Sequence, residues 1–283
     1  MTIATKNIPE SPQKSSKGNE FALKLFSKSV LKQAKLRNLR KVSGSFENKI
    51  CLDLGSDNGV ISYYLREAGG KWFSGDLTEE VVGAIRSLVV SNVDLVSGEG
   101  LPYSDQQFDT VVVVDMLEHV ENEGQFISEL DRILKPGGLL VINTPNLKSF
   151  SPLRAFRHLI GQTDEKHGHL RPGYSEERLV QLVGENYQLE QGYTYSGFFS
   201  EAIDTAIVFA YGLLKKLKGG GEKKKDEQGI SKGLVVTEDG LKAFEKQFKI
   251  YSLIYPVVLA FSKLDKLIFF IPGFMRIAGL RKA

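Results

Sequence analysis

The chain has 283 residues, enough to bury a full core as one large domain carrying an insertion. Its 42% hydrophobic and 25% charged residues are those of an ordinary globular protein and exclude a disordered or fibrous class. A single cysteine, Cys51, excludes an intrachain disulfide framework and suits a reducing, cytoplasmic setting, while the net charge of +3 hides a sharp asymmetry along the chain.

Residues 1–20 are polar and rich in proline, serine and lysine, without the apolar stretch of a secretory leader, and are expected to form a disordered tail. Residues 21–41 then read as one basic amphipathic helix, with Phe21, Leu25, Val30 or Leu31, and Leu36 recurring at roughly helical spacing. From Ile50 the pattern alternates. The expected order is strand 50–54, helix 59–68, strand 71–75, helix 79–90, strand 93–97, strand 110–114, helix 121–134 and strand 138–143. Strands alternating with helices predict a doubly wound, mostly parallel α/β sheet.

The first strand is the most informative. Ile50-Cys51-Leu52-Asp53-Leu54 ends in Gly55-Ser56-Asp57-Asn58-Gly59 and feeds a helical run. A glycine-bearing loop between a buried strand and a helix lets a ligand approach the backbone, and the helix start offers unpaired N–H groups to an anion. Such a loop is weak evidence alone. The second strand ends in Asp76, followed by Leu77 and a capping Thr78. A carboxylate at that place can accept from both hydroxyls of a ribose. Gly98-Glu99-Gly100 precedes the fourth strand, Asp115-Met116-Leu117-Glu118-His119-Val120 follows it, and a Pro136-Gly137-Gly138 turn leads into the fifth strand.

Taken together, residues from about 48 to 146 resemble the class I S-adenosylmethionine-dependent methyltransferases. The resemblance rests on D-L-G-x-x-x-G at 53–59, G-D-L-T at 75–78, the L-P-Y…F-D-T-V-V-V-V-D run at 101–115, L-E-H-V at 117–120 and L-K-P-G-G-L-L-V-I at 134–142. It implies a seven-stranded Rossmann-like sheet and S-adenosylmethionine as cofactor. It also implies a cofactor site made of Asp53, Gly55, Ser56, Asp57, Gly59, Asp76, Leu77, Glu99, Gly100, Asp115 and Met116. In these roles the 53–59 loop surrounds the methionine part, Asp76 takes the ribose, Glu99 and Gly100 the adenine, and Asp115 and Met116 border the methyl. Asp57 departs from the family, which usually has glycine there. Its carboxylate is expected to face solvent or a backbone N–H, since it would repel a ligand carboxylate.

Beyond Asn146 the chain changes character. Residues 147–171, with His158, His167 and His169, read as a loop with short helical turns. Ser175 caps a helix, and 187–196 reads as a strand. The last strand is expected at 274–282. The methyltransferase domain is therefore read as 21–197 plus 273–283. Residues 198–272 form a basic helical insertion before the last strand, with a flexible linker at 219–232. Residues 1–41 and 215–283 each carry a surplus of eight basic residues, while 42–214 carry 12 basic against 25 acidic. Basic flanks around an acidic core favour an anionic surface. The stripe Leu241, Phe244, Phe248 and Tyr251, framed by lysines, suggests a segment lying in a membrane interface or a cap over the active site.

The catalytic residue stays open. His119, His167 and His169 are candidates for a base, because imidazole titrates near neutral pH. The sequence indicates no metal centre, and nucleic acid is disfavoured as a partner. The expected substrate is a small molecule, either a lipid or lipid-linked compound met peripherally at the inner face of a membrane, or a soluble metabolite with the insertion as lid. A non-catalytic cofactor-binding scaffold is the remaining alternative.

Overall fold

The computed structural model describes residues 17–147, 153, 155, 157, 168–217 and 238–283. The linker 219–232, most of the tail 1–20 and His167 lie outside them. Two helices, α1 (Lys17–Ser27) and α2 (Val30–Ser43), precede the alternating core. The core runs β1 (Ile50–Leu54), α3 (Val60–Arg66), β2 (Lys71–Asp76), α4 (Glu79–Val89), β3 (Val93–Leu95), β4 (Phe108–Val114), α5 (Glu123–Ile133) and β5 (Leu134–Pro145). Then follow α6 (Glu176–Val183), β6 (Tyr187–Tyr195), α7 (Phe198–Leu217), α8 (Glu238–Ser262), a 3-10 helix (Lys263–Ile268) and β7 (Met275–Lys282).

The seven strands lie in the order β3-β2-β1-β4-β5-β7-β6, with β7 antiparallel to both β5 and β6. The sheet is thus the mostly parallel, doubly wound one that the alternation predicts. Period-2 alternation divides the core in two. Leu52, Leu54, Val111, Val113, Leu140 and Ile142 face α5, where Phe126, Leu130 and Ile133 are buried. Cys51, Val112, Val114, Val141 and Ile277 face the other layer, with Leu36 and Leu39 of α2 and Val60 and Leu65 of α3. Cys51 is fully buried, and desolvation pushes its thiol up to about 12, so it is a core residue and not a nucleophile.

Two expectations are corrected. The single helix at 21–41 is two, and it begins at Lys17, inside the span read as disordered tail. The break comes at Ser29, whose side chain accepts from the Lys32 N–H and caps a new helix. The fifth strand starts at Leu134 and not 138, so the Pro-Gly-Gly segment lies within it as an irregular stretch of pairing with β4. Pro256 is carried inside α8.

Beneath the 53–59 loop lies a buried polar node. Asp53 is fully buried, and its carboxylate accepts from the hydroxyls of Ser56, Ser62 (2.5 Å) and Ser74 (2.7 Å). Arg66 stands 3.5 Å from Asp53 and donates to the Ser74 hydroxyl at 2.8 Å. This network ties β1, the loop, α3 and β2 together. Removing the carboxylate strands a mostly buried guanidinium and three hydroxyls. Asp53→Ala is therefore expected to destabilise the fold by about 3–5 kcal/mol, the usual cost of breaking a buried pair from one side. Urea unfolding of the full chain measures it, and a loss under about 1 kcal/mol would contradict the node's structural role.

Candidate functional site

The expected site residues converge on one edge of the sheet. Leu54 of β1 pairs with Gly75 of β2 and Val113 of β4, and Asp76 pairs with Leu95 of β3. The residues that follow, Gly55, Leu77, Val96 and Asp115, therefore leave at the carboxyl ends of adjacent parallel strands. Strand order reverses between β1 and β4, and an open α/β sheet binds ligands at such a switch point.

Gly55 and Gly59 both take positive φ, +80° and +79°. A Cβ on Gly55 would stand 2.3 Å from the Val114 carbonyl oxygen, and one on Gly59 would stand 2.7 Å from Cα of Ile85. Both positions need glycine for backbone shape and close packing. Ser56 is buried on the Asp53 network. Asp57 also has positive φ and lies 3.5 Å from the Lys32 ammonium of α2. One of its partners is thus a cation on another element, and its side chain remains 33% exposed.

Asp76 is partly exposed at the end of β2, with one carboxylate oxygen accepting from the Leu77 N–H at 2.8 Å. Leu77 packs on the core. Glu99 is exposed, and its carbonyl accepts from the Gln125 side chain at 2.8 Å. Gly100 would offer a Cβ nothing within 4 Å, and with Leu95, Val96 and Leu101 it lines a shallow cavity of about 390 Å³. Met116 is buried and its Cβ sits under Gly55, so its contribution at this edge is to support the loop.

Several residues at this edge were not anticipated. Lys35 of α2 donates to Asp115, which also accepts from the Asn143 side chain at 2.6 Å, and Asn143 accepts from the Tyr195 hydroxyl. Burial works against the Lys35 ammonium, but Asp115 outweighs it and the pKa is raised. Burial pushes the Tyr195 phenol well above its ordinary value. Asp115 itself has φ of 46°, a strained conformation at the mouth of the sheet. A polar Asn143 in an apolar strand was the available sequence signal. Nothing in the pattern linked it to Lys35, 108 positions earlier.

His119 and His169 come together with ring centroids 4.9 Å apart, beside the fully buried Glu118. A second cavity, of about 370 Å³, opens between α2, α7, α8 and the 3-10 helix, with Arg37, Tyr195, Tyr255, Leu259, Lys263 and Lys266 among its walls.

The fold and this edge define a nucleotide-binding α/β domain with a glycine loop, a strand-end carboxylate and a helical roof. Residues 52–142 match the family model described as a methyltransferase domain. A ubiquinone biosynthesis O-methyltransferase of Hydrogenovibrio crunogenus is 34% identical over 108 residues, 36% of this chain and 45% of that protein. A probable S-adenosylmethionine-dependent methyltransferase of Mycolicibacterium smegmatis is 32% identical over 105 residues, 36% of this chain and 40% of that protein. The matched stretch thus spans less than half the length of these relatives. The S-adenosylmethionine-dependent methyltransferase structure from Mesorhizobium loti superposes with a TM-score of 0.53 over 88% of this chain and 98% of that one, at 13% identity, and shares the fold. Residues 52–142 are thus similar to S-adenosylmethionine-dependent methyltransferases, and S-adenosylmethionine is the cofactor that this likeness implies.

The residues present fit that cofactor. The loop turns through two glycines, a carboxylate ends β2, and Gly100 leaves open space at the end of β3. Asp76→Ala is expected to weaken S-adenosylmethionine binding by at least about 1.5 kcal/mol, the scale of a hydrogen bond to a charged group. Calorimetry on the full chain reads this directly, and unchanged affinity would remove Asp76 from the ribose role.

Proposed function

We propose that this protein transfers a methyl group from S-adenosylmethionine to a lipid or lipid-linked small molecule while lying on an anionic membrane surface. The observation that carries the reading is the distribution of apolar surface on α8, the 3-10 helix after it and the turn that follows. Leu253 is 81% exposed, Val257 71%, Leu267 72%, Phe269 85% and Phe270 71%. Lys263 and Lys266, also exposed, lie within the same stretch. A large contiguous apolar ridge bordered by lysines is the pattern of an interfacial segment. No described helix is long and apolar enough to cross a membrane, so attachment from one side is the form the ridge supports.

The face differs from the stripe read in the sequence. Phe248 packs edge-on against Phe21 of α1, with centroids 5.5 Å apart, and the Tyr251 hydroxyl donates to the Lys28 carbonyl at 2.7 Å. The side chains of Leu241 and Phe244 lie outside the described residues. The packed stripe holds α8 onto the N-terminal helices, and other residues form the outward ridge.

The ridge and the second cavity share α8, since Tyr255 and Leu259 line the cavity while Leu253 and Val257 point outward. An acceptor with an apolar tail could pass from the interface to the sheet edge without crossing water. The ubiquinone-biosynthesis relatives support this class, and an isoprenoid quinone precursor is one candidate acceptor.

When bound, the cofactor supplies an activated methyl on a sulfonium with a good leaving group. The protein has to orient acceptor and methyl in line and exclude water. Asp115, held by Lys35 and Asn143, fixes the wall after β4, and α2 closes over the loop through the Lys32–Asp57 and Lys35–Asp115 pairs. His119 and His169, with ring centroids 4.9 Å apart beside Glu118, are the candidate bases after β4.

The intact protein should co-sediment with anionic phospholipid vesicles at low salt. The variant Leu253→Asp/Phe269→Asp/Phe270→Asp should lose at least about a hundredfold in vesicle affinity, since each large side chain withdrawn from water contributes roughly 1.5–3 kcal/mol. Its S-adenosylmethionine affinity should stay within about twofold, because the ridge lies away from the glycine loop. Native protein that remains in the supernatant would remove the membrane reading and favour a soluble acceptor beneath a helical lid.

A further inference from the structure

We propose that the second cavity holds the phosphate group of an amphiphilic acceptor, bound by Arg37 of α2 and by Lys263 and Lys266 of the 3-10 helix. On the methyl-transfer reading above, on which this rests, the acceptor narrows from lipids in general to a phosphate-bearing amphiphile.

The charge of the cavity is one-sided. Arg37, Lys263 and Lys266 all line it, and none of the three has an ion-pair partner among the described residues. Asp265 stands in the same wall, but its carboxylate is turned to the start of α7. There its two oxygens accept from the N–H groups of Phe199 (2.7 Å) and Ser200 (3.2 Å). That carboxylate caps a helix N-terminus and complements the helix dipole. Lys28 adds a further cation close by, its ammonium 4.9 Å from the centroid of the Tyr255 ring, which is part of the wall. Burial raises the Tyr255 phenol above its ordinary value and the Arg37 guanidinium opposes the rise, so the Arg37 charge is felt at this wall.

The second observation is an unsatisfied hydroxyl. Ser196, which follows β6 with φ of 57°, lines the cavity, and its side-chain oxygen is buried without a hydrogen-bond partner among the described residues. Buried hydroxyls are ordinarily paired, and a ligand oxygen would supply the missing acceptor. A phosphate monoester carries a charge of about −1.5 to −2 and three acceptor oxygens. It suits three cations and a hydroxyl drawn from separate elements, whereas the single charge of a carboxylate would leave most of that potential uncompensated.

The remaining walls suit the rest of such a ligand. Val30, Ala34 and Leu259 are apolar, and Leu259 shares α8 with the outward ridge, so an alkyl chain can lead from the cavity to the interface. Tyr195 also lines the cavity, and its hydroxyl donates to Asn143, which in turn donates to Asp115 at the cofactor edge. An acceptor anchored here by its phosphate lies beside the residues that close that edge.

The test is calorimetry on the full chain at about 0.15 M salt, where weak surface pairing is screened. The probe is decyl phosphate below its micelle concentration. Decanol, inorganic phosphate and dihexanoyl phosphatidylglycerol serve as comparisons. Decyl phosphate is expected to bind with Kd below about 100 µM, and each comparison at least about tenfold more weakly. Arg37→Gln should weaken decyl phosphate binding at least about tenfold, the loss of one charge-assisted contact. Its affinity for S-adenosylmethionine and for anionic phospholipid vesicles should change less than about twofold, because sites without shared partners are nearly independent. Lys263 and Lys266 also border the ridge, so Arg37→Gln, exposed on α2, decides the matter. Equal affinity for decanol would reduce the cavity to an apolar slot, and equal affinity for inorganic phosphate or for the phospholipid would assign it to a free anion or to the membrane itself. Each of these would overturn the proposal, as would undiminished binding by Arg37→Gln. Vesicle binding without decyl phosphate binding would overturn it and leave the membrane reading standing. Decyl phosphate binding by a native chain that stays off vesicles would sustain the phosphate site and sink the membrane reading instead.

Discussion

The buried carboxylate of Asp53 is the constraint on which the cofactor edge depends. It sits at the penultimate position of β1 with no solvent, so it must be satisfied by neighbours. Those neighbours come from the loop (Ser56), from α3 (Ser62 and Arg66) and from β2 (Ser74). One charge thereby fixes the position of the loop against two strands and a helix. The glycines then need only supply the backbone shape. Gly55 turns past the Val114 carbonyl, and Gly59 starts α3 against Ile85.

A second polar chain closes the edge from above. Lys35, Asp115, Asn143 and Tyr195 connect α2, the end of β4, β5 and β6. Together with the Lys32–Asp57 pair it places the N-terminal helix over the loop. The family usually has glycine where this chain has Asp57. Here that carboxylate has a use, because it gives α2 a second charged anchor at the loop. Fixed dipoles and charges placed around a closed cleft act more strongly than they would in water.

The helical insertion shows how one element can carry two apolar faces. The Phe248 and Tyr251 face packs on α1 and the Lys28 backbone, and Lys28 lies over the Tyr255 ring at 4.9 Å. The opposite face has no protein partner among the described residues for Leu253, Val257, Phe269 or Phe270 to pack beneath, and these side chains stay largely in solvent. Sequence periodicity marks the stripe that holds Phe248 and Tyr251. It cannot say which face finds a neighbouring helix.

The sequence by itself determined the strand and helix alternation, the parallel sheet, the place of the last strand and the positions of Gly55, Gly59, Asp76 and Asp115. These features are local: apolar runs, turn glycines and strand-end acids report the backbone state of a few consecutive residues. Only the tertiary structure decided that Asp57 faces Lys32, that Met116 lies in the core, that α8 is held by Phe248, and that Glu118 and His119 meet His169 some fifty positions away. Each of these depends on long-range packing, in which a side chain's partner is chosen by the crossing of separate elements. That choice leaves no periodic signal in the chain.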